Sequence, residues 1–374
     1  MRAISPQPVK PLGGPGGQPV LTGPVAGGAL GAEGRGQAAG EVLSMARSFL
    51  DPAAPVLNGN DIDRPGALTY TALMVMPPTC PDPLARAPRA TTGVVERLYP
   101  TPPALQGAIV AILCRDTRTA ALSDAQRLTH FPATPLVTLS WFHGIDAGLV
   151  ERGPVWRRFP SDLLLAGSHF HPVVTWAPKT GRGGFACLTA DTARALFGID
   201  SAALQDRILP ADAVLGPDWM PFLTDLRNAP DDAAVLAALA THLAPRWHAV
   251  QGRTSTAPTL RQLGRHWVAR LAIQARDWRR QCSPRQVERR IKTLSGRSLR
   301  DWQGLVRTEG VFFSARERFD RGEPPDWAAL AVEEGFSDQA HLTRAVKRIT
   351  GFAPGEFSAR FIADESFWAY RLWV

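Results

Sequence analysis

The spacing of apolar residues changes along the chain. Over 66–190, short runs rich in Val, Thr and aromatics are bounded by Gly or Pro. They are 67–76 (ALTYTALMVM), 108–114 (AIVAILC), 136–142 (LVTLSWF), 173–177 (VVTWA) and 185–190 (FACLTA). Runs of this length and composition predict β-strands, with GRGGF (181–185) as a hairpin turn between two of them. From 192 the period lengthens. TARALFG (192–198), SAALQDRI (201–208) and DDAAVLAALATHLAPRW (231–247) predict helices. In the last, Val235, Leu236, Leu239, Ala240 and Leu243 recur at the spacing of a one-sided helix. A polar stretch at 248–259 reads as a linker, and helical periodicity resumes from 260. Residues 1–40 contain 6 Pro and 11 Gly and no aromatic. They bury too little surface to offset the entropy of ordering, so they are expected to be disordered. A short helix is expected at 41–50, then loop to about 65.

The last third contains an internal repeat at an offset of 55 residues. VERRIKTLSGRSLRDW (287–302) aligns with LTRAVKRITGFAPGEF (342–357). Arg289 falls on Arg344, Lys292 on Lys347 and Gly296 on Gly351, and apolar positions coincide. Register held over this length indicates duplicated structure. Each copy predicts a helix with an apolar row at i, i+4, i+7: Val287/Ile291/Leu294 and Leu342/Val346/Ile349. Gly296 and Gly351 are placed to end these helices in a left-handed C-cap. Ser283 followed by Pro284 reads as an N-cap with proline at the first helical position. The turn EEGFSD (333–338) joins PDWAALAVEE to the second copy. A positioning helix, a tight turn with glycine and a second helix make up helix–turn–helix grammar.

Charge sharpens this picture. The 374 residues carry a net +8. Residues 253–374 hold 22 Lys/Arg against 14 Asp/Glu, so the front of the chain is neutral and the back carries the whole excess. Within it, 253–300 alone has a net +11. A neutral front and a basic back point to a polyanionic partner at the back. No stretch approaches 18 consecutive apolar residues, which excludes a transmembrane helix by this criterion. The N-terminus lacks an apolar core of the export-signal kind. Four scattered Cys without a CxxC pattern exclude a local zinc finger and suit a reducing cytoplasm.

The motif LAVEEGFSDQAHLTRAVKRITGFAPGEF (330–357), preceded by CSPRQVERRIKTLSGRSLRDW (282–302) with DWQGLVRTEGVFFSARERF (301–319) between them, resembles the AraC/XylS family of bacterial transcription regulators. The likeness covers about 260–361. It departs from the family pattern at Ile291, where Phe is usual, at Leu299, where Pro is usual, and before Ser283, where a turn glycine is missing. The front half is similar to the sensor domain of one group of these regulators at 131–142, 192–216 and 228–247.

The resemblance implies an α+β protein: a β-rich, cupin-like sensor domain with a helical extension, plus an all-α DNA-binding domain with two helix–turn–helix motifs. The expected layout is a Gly/Pro-rich tail (1–60), the sensor domain (61–215), a helical segment suited to homodimer contacts (216–250), the DNA-binding domain (251–361) and an aromatic tail (362–374). Outer-face residues Arg285, Glu288, Arg289, Gln339, Thr343 and Arg344 have the side-chain types that read base edges. Arg290, Lys292, Lys347 and Arg348 are expected on phosphates. Double-stranded DNA, a small-molecule effector and, for an activator, RNA polymerase are the implied partners. The implied setting is cytoplasmic, at the nucleoid, with no cofactor and no membrane.

Sharper chemistry is weaker. GSHFHP (167–172) carries an H-x-H, His169 and His171, with His143 upstream. A metal-binding cupin enzyme or sensor is therefore the alternative, but the Glu expected just after the pair is absent, since 174–176 are Val, Thr and Trp. No metal and no catalytic residue is assigned. Cys114 and Cys187 are weak candidates for oxidant sensing, and Trp141, Trp156, Trp176 and Trp219 for an aromatic effector pocket. The tail ESFWAYRLWV (365–374) is too aromatic to be solvated and is expected to pack onto a domain.

Overall fold

In the computed structural model, residues 79–151, 155–251 and 260–373 are described, and all belong to one compact unit. The tail 1–60, the predicted helix 41–50, the strand 67–76 and most of the linker 248–259 lie outside them. The fold is α+β, with a β-rich N-terminal part and a wholly helical C-terminal part.

Two antiparallel sheets build the β-rich part. The larger contains β1 (Val95–Tyr99), β2 (Ile109–Asp116), β4 (Val137–His143), β7 (Leu163–Ala166), β9 (Arg182–Leu188) and β10 (Ile208–Pro210), in the order β1-β2-β9-β4-β7-β10. The smaller contains β3 (Leu128–Phe131), β5 (Gly148–Val150), β6 (Trp156–Arg158) and β8 (Val173–Trp176), in the order β3-β8-β5-β6. The central strand β2 is buried on both faces, which is why it reads as a continuous apolar run. One face, with Ile112, Leu139, Trp141 and Leu165, packs under α1 (Ala190–Phe197), α2 (Ala211–Val214), α3 (Met220–Asn228) and α4 (Asp232–Gln251). The opposite face, with Leu113 and Cys187, meets Leu372 and Trp373 from the end of the chain.

Two local expectations are corrected. All of GRGGF but Gly181 lies in strand β9, so the segment is not a turn. A Cβ on Gly184 would stand 2.5 Å from the Leu113 carbonyl oxygen and 2.8 Å from the Trp141 ring, so glycine is needed for sheet packing here. SAALQDRI is not a helix: Ser201–Asp206 form turns and Ile208 begins β10. Asp206 takes φ 56°, which a short polar side chain tolerates, and its carboxylate accepts from the Phe170 N–H at 2.8 Å. Tertiary hydrogen bonding outweighs helix propensity at that point.

The helical part comprises α5 (Leu260–Trp278), α6 (Pro284–Ser295), α7 (Leu299–Asp320), α8 (Trp327–Glu333), α9 (Gln339–Thr350), α10 (Pro354–Ala363) and α11 (Trp368–Trp373). Its core gathers Val287, Ile291, Trp302, Leu330, Phe336, Leu342, Val346 and Phe357 around α7.

Candidate functional site

Helices α6 and α9 form as their caps dictate. Ser283 accepts from the Gln286 N–H while the Gln286 side chain returns to the Ser283 N–H, a full capping box with Pro284 at the first turn. Asp338 caps α9 through the His341 N–H at 2.6 Å. Gly296 (φ 83°) and Gly351 (φ 87°) end the two helices in the left-handed conformation, as their positions in the repeat predict. The predicted inner rows are buried, except that Leu294 is half-buried. Between α8 and α9, Phe336 is buried with its ring edge-on to His341.

The outer faces are open. Arg285, Glu288, Arg289, Arg290 and Lys292 are exposed on α6, and Gln339, Arg344, Lys347 and Arg348 on α9, with Thr343 half-buried. Among the described residues Arg285, Arg289 and Lys347 have no ion-pair partner. Lys292 pairs with Glu288 at 2.9 Å, a solvent-exposed contact of small energy. Arg290 stands over the Trp278 ring. Arg348 differs from the rest: its guanidinium lies 5.3 Å from the ring of Phe170, in the β-rich part, where Arg297 also stacks at 4.4 Å.

The C-terminal ends of both helices therefore rest against the β-rich part. Arg297 pairs with Asp206 at 2.6 Å, and Arg270 with Asp191 at 2.6 Å. The Ala133 N–H donates to the Ile349 carbonyl at 3.0 Å. The aromatic tail does pack, and it does so on both parts: Phe367 and Tyr370 join the helical core around Phe357, and the other contacts go to the β-rich part. Asp364 meets Arg86 at 2.7 Å, and Glu365 holds Arg115 and the Ala90 N–H. Phe367 stacks on His130 at 4.8 Å, and Trp368 donates to Thr129 Oγ1 at 3.1 Å.

A cavity of about 180 Å³ lies within the β-rich part, with walls that are mainly apolar. Of the four tryptophans named as candidates only Trp176 lines it; Trp141 and Trp219 are buried in the core and Trp156 lies edge-on to Trp176. Trp368, which was not among them, lines it too. The only hint of this in the sequence is the unusual aromatic content of the last ten residues.

The histidines are not gathered together. His143 Nε2 is 3.1 Å from the Leu226 carbonyl, His169 lines the cavity and His171 is exposed. Among the described residues no group of three or more His, Cys, Asp or Glu is placed to hold a metal ion. Burial pushes the Cys114 thiol up to about 12 and raises that of Cys187 further, so neither supplies a reactive thiolate at neutral pH. No described helix is long and apolar enough to cross a membrane.

No protein-family model matches the chain, and no curated protein matches it. Among solved structures it is similar to ToxT from Vibrio cholerae. An apo variant from strain SCE256 matches at 9% identity and TM-score 0.34, covering 72% of this chain and 98% of that one. Wild-type ToxT from the same strain, bound to an unsaturated fatty acid, matches at 12% and 0.33, covering 74% and 97%. ToxT from strain O395 bound to (E)-4-(8-methylnaphthalen-1-yl)but-3-enoic acid matches at 11% and 0.32, covering 71% and 98%.

Proposed function

We propose that this chain is a DNA-binding transcription regulator of the AraC/XylS kind, whose helical part holds duplex DNA and whose β-rich part takes a small-molecule effector. The observation that carries the reading is the repeated pair α6 and α9: two capped helices with buried apolar rows and open outer rows of Arg, Gln, Thr and Lys. A single helix fits the major groove of B-DNA, and these side chains match its donors and acceptors. On this reading Arg285, Glu288, Arg289, Gln339, Thr343 and Arg344 face bases. Arg290, Lys292, Lys347 and Arg348 face phosphates, and α5–α6 and α8–α9 are the two helix–turn–helix units. Arg348 is shared between DNA and Phe170, which ties the grip on DNA to the placement of the β-rich part. The same reading makes the protein a non-enzyme of the cytoplasm and nucleoid, with RNA polymerase as partner if it activates and with 216–250 open to homodimer contacts.

The test is selection of binding sites from a random duplex library, followed by anisotropy titration against salt. Enrichment of a common sequence, and affinity falling by about 0.9 log units per phosphate contact for each tenfold rise in salt, are expected. Absence of enrichment, or affinity that does not respond to salt, would refute the reading.

A further inference from the structure

The two repeat helices meet the β-rich part at the same point of the repeat, their C-terminal ends. A side chain on Gly296, which ends α6, would collide with Gln205, and one on Gly351, which ends α9, would meet Pro172 at 3.7 Å. Phe170, on the loop from β7 to β8, touches both ends. Its buried ring takes the Arg297 guanidinium, just past α6, at 4.4 Å and the Arg348 guanidinium, in the last turn of α9, at 5.3 Å. Trp302 of α7 stands nearly at right angles to the same ring, with centroids 6.3 Å apart. Guanidinium groups are attracted to an aromatic face. One side chain of the β-rich part thus joins groups from both helix–turn–helix units and from the helix between them.

The loop that carries Phe170 is itself pinned. Thr134 and His169 exchange backbone hydrogen bonds at 2.8 and 2.9 Å. The Asp206 N–H donates to the Ser168 carbonyl at 2.9 Å, while its carboxylate accepts from the Phe170 N–H and pairs with Arg297. A ring on so constrained a backbone has little freedom, and the groups packed on it take their position from it. The helical part does less to fix Arg348: its guanidinium passes over Gly304 of α7, which offers no side chain to hold it.

We propose that Phe170 is a positioning residue that sets the relation of the two helix–turn–helix units and so selects the spacing between two half-sites on DNA. The proposal rests on the DNA-binding reading above and adds a specificity determinant that lies outside the helical part. One added base pair moves a half-site by about 3.4 Å along the duplex and about 34° around it. Units held in one relation reject that change, and loosely tied units follow it.

Site selection with the full-length protein, followed by anisotropy on duplexes whose gap between half-sites is one base pair longer or shorter, tests it. The wild type is expected to lose at least about tenfold in affinity on either altered gap, the usual cost of misplaced base contacts. Phe170→Ala is expected to lose no more than about threefold against its own best duplex. Asp206→Asn keeps an acceptor for the Phe170 N–H and a residue that tolerates the left-handed backbone, but gives up the charge on Arg297; it is expected to fall between the two. Circular dichroism confirms the fold of each variant, and if Phe170→Ala is not folded, Asp206→Asn carries the comparison. Variants that bind more weakly on every gap but keep the wild-type preference overturn the proposal and leave α7 as the spacer. A wild type that selects a single half-site, or tolerates the altered gaps, overturns it too, while sequence-specific binding stands. A wild type that selects no sequence refutes the DNA-binding reading, and this inference falls with it.

Discussion

His130 sits where the β-rich part, the tail and the end of α9 meet, and protonating it should loosen that junction. Its ring is buried, stacked on Phe367 at 4.8 Å and edge-on to Phe352 at 5.7 Å, and its Nε2 is 3.1 Å from the Pro83 carbonyl. Burial, assisted by the nearby Arg360 guanidinium, lowers its pKa from 6.5 to about 4. The folded state therefore keeps the ring neutral while the unfolded chain takes up a proton below 6.5. Stability due to this group is complete above pH 6.5 and is lost as pH falls towards 4. The shift of 6.5 − 4 = 2.5 units corresponds to about 3 kcal/mol at 1.36 kcal/mol per unit. His130→Phe keeps the aromatic stacking, cannot titrate, and gives up the contact to Pro83 at a cost of about 1 kcal/mol. The variant should thus melt below wild type by roughly 2–4 °C at neutral pH and above it by about twice that margin near pH 4.5. Scanning calorimetry of both proteins across pH measures the crossover. A variant less stable by the same margin at every pH would show that His130 does not carry the acid sensitivity.

Glu309 should act in the opposite sense. Burial pushes its carboxyl up to about 7 despite the Trp373 indole N–H at 3.0 Å, so stability is lost as pH rises from 4.5 through 7. The residue as a whole is half-buried, so solvent screening leaves about 2 kcal/mol, and Glu309→Gln should melt higher than wild type at pH 8 but not at pH 5. Phe336→Ala should cost about 3–5 kcal/mol; a melting temperature within about a degree of wild type would contradict the buried turn seen here. Neutralising Arg290 and Lys292 should weaken binding to all DNA and flatten the salt slope by roughly one to two units. Gln339→Ala should instead cost about 1–3 kcal/mol on the selected site alone, and equal losses on random DNA would reverse that assignment. A fragment spanning 252–374 should aggregate where the whole protein is monodisperse, because it bares Trp368 and the face of Phe367 that stacks on His130; sedimentation of both decides this.

What the sequence by itself determined is whatever depends on neighbours within about four residues. The caps at Ser283, Gly296 and Gly351, the apolar rows of α6 and α9 and the extents of β2, β4 and β8 follow from local hydrogen bonding and periodicity, and all were readable. The exposed faces of α6 and α9 followed too, since a helix with one apolar row leaves the other side to solvent. Only tertiary structure decided the rest. Strands as short as β5, β6 and β10 carry too little pattern to register. Gly183 and Gly184 look like a turn until Leu113 and Trp141 close on them from adjacent strands. The 201–206 segment has helical composition, but Asp206 finds better partners in Phe170 and Arg297. Trp368 acquires its place at the cavity through ion pairs spanning more than two hundred residues, and no local periodicity encodes a contact of that range.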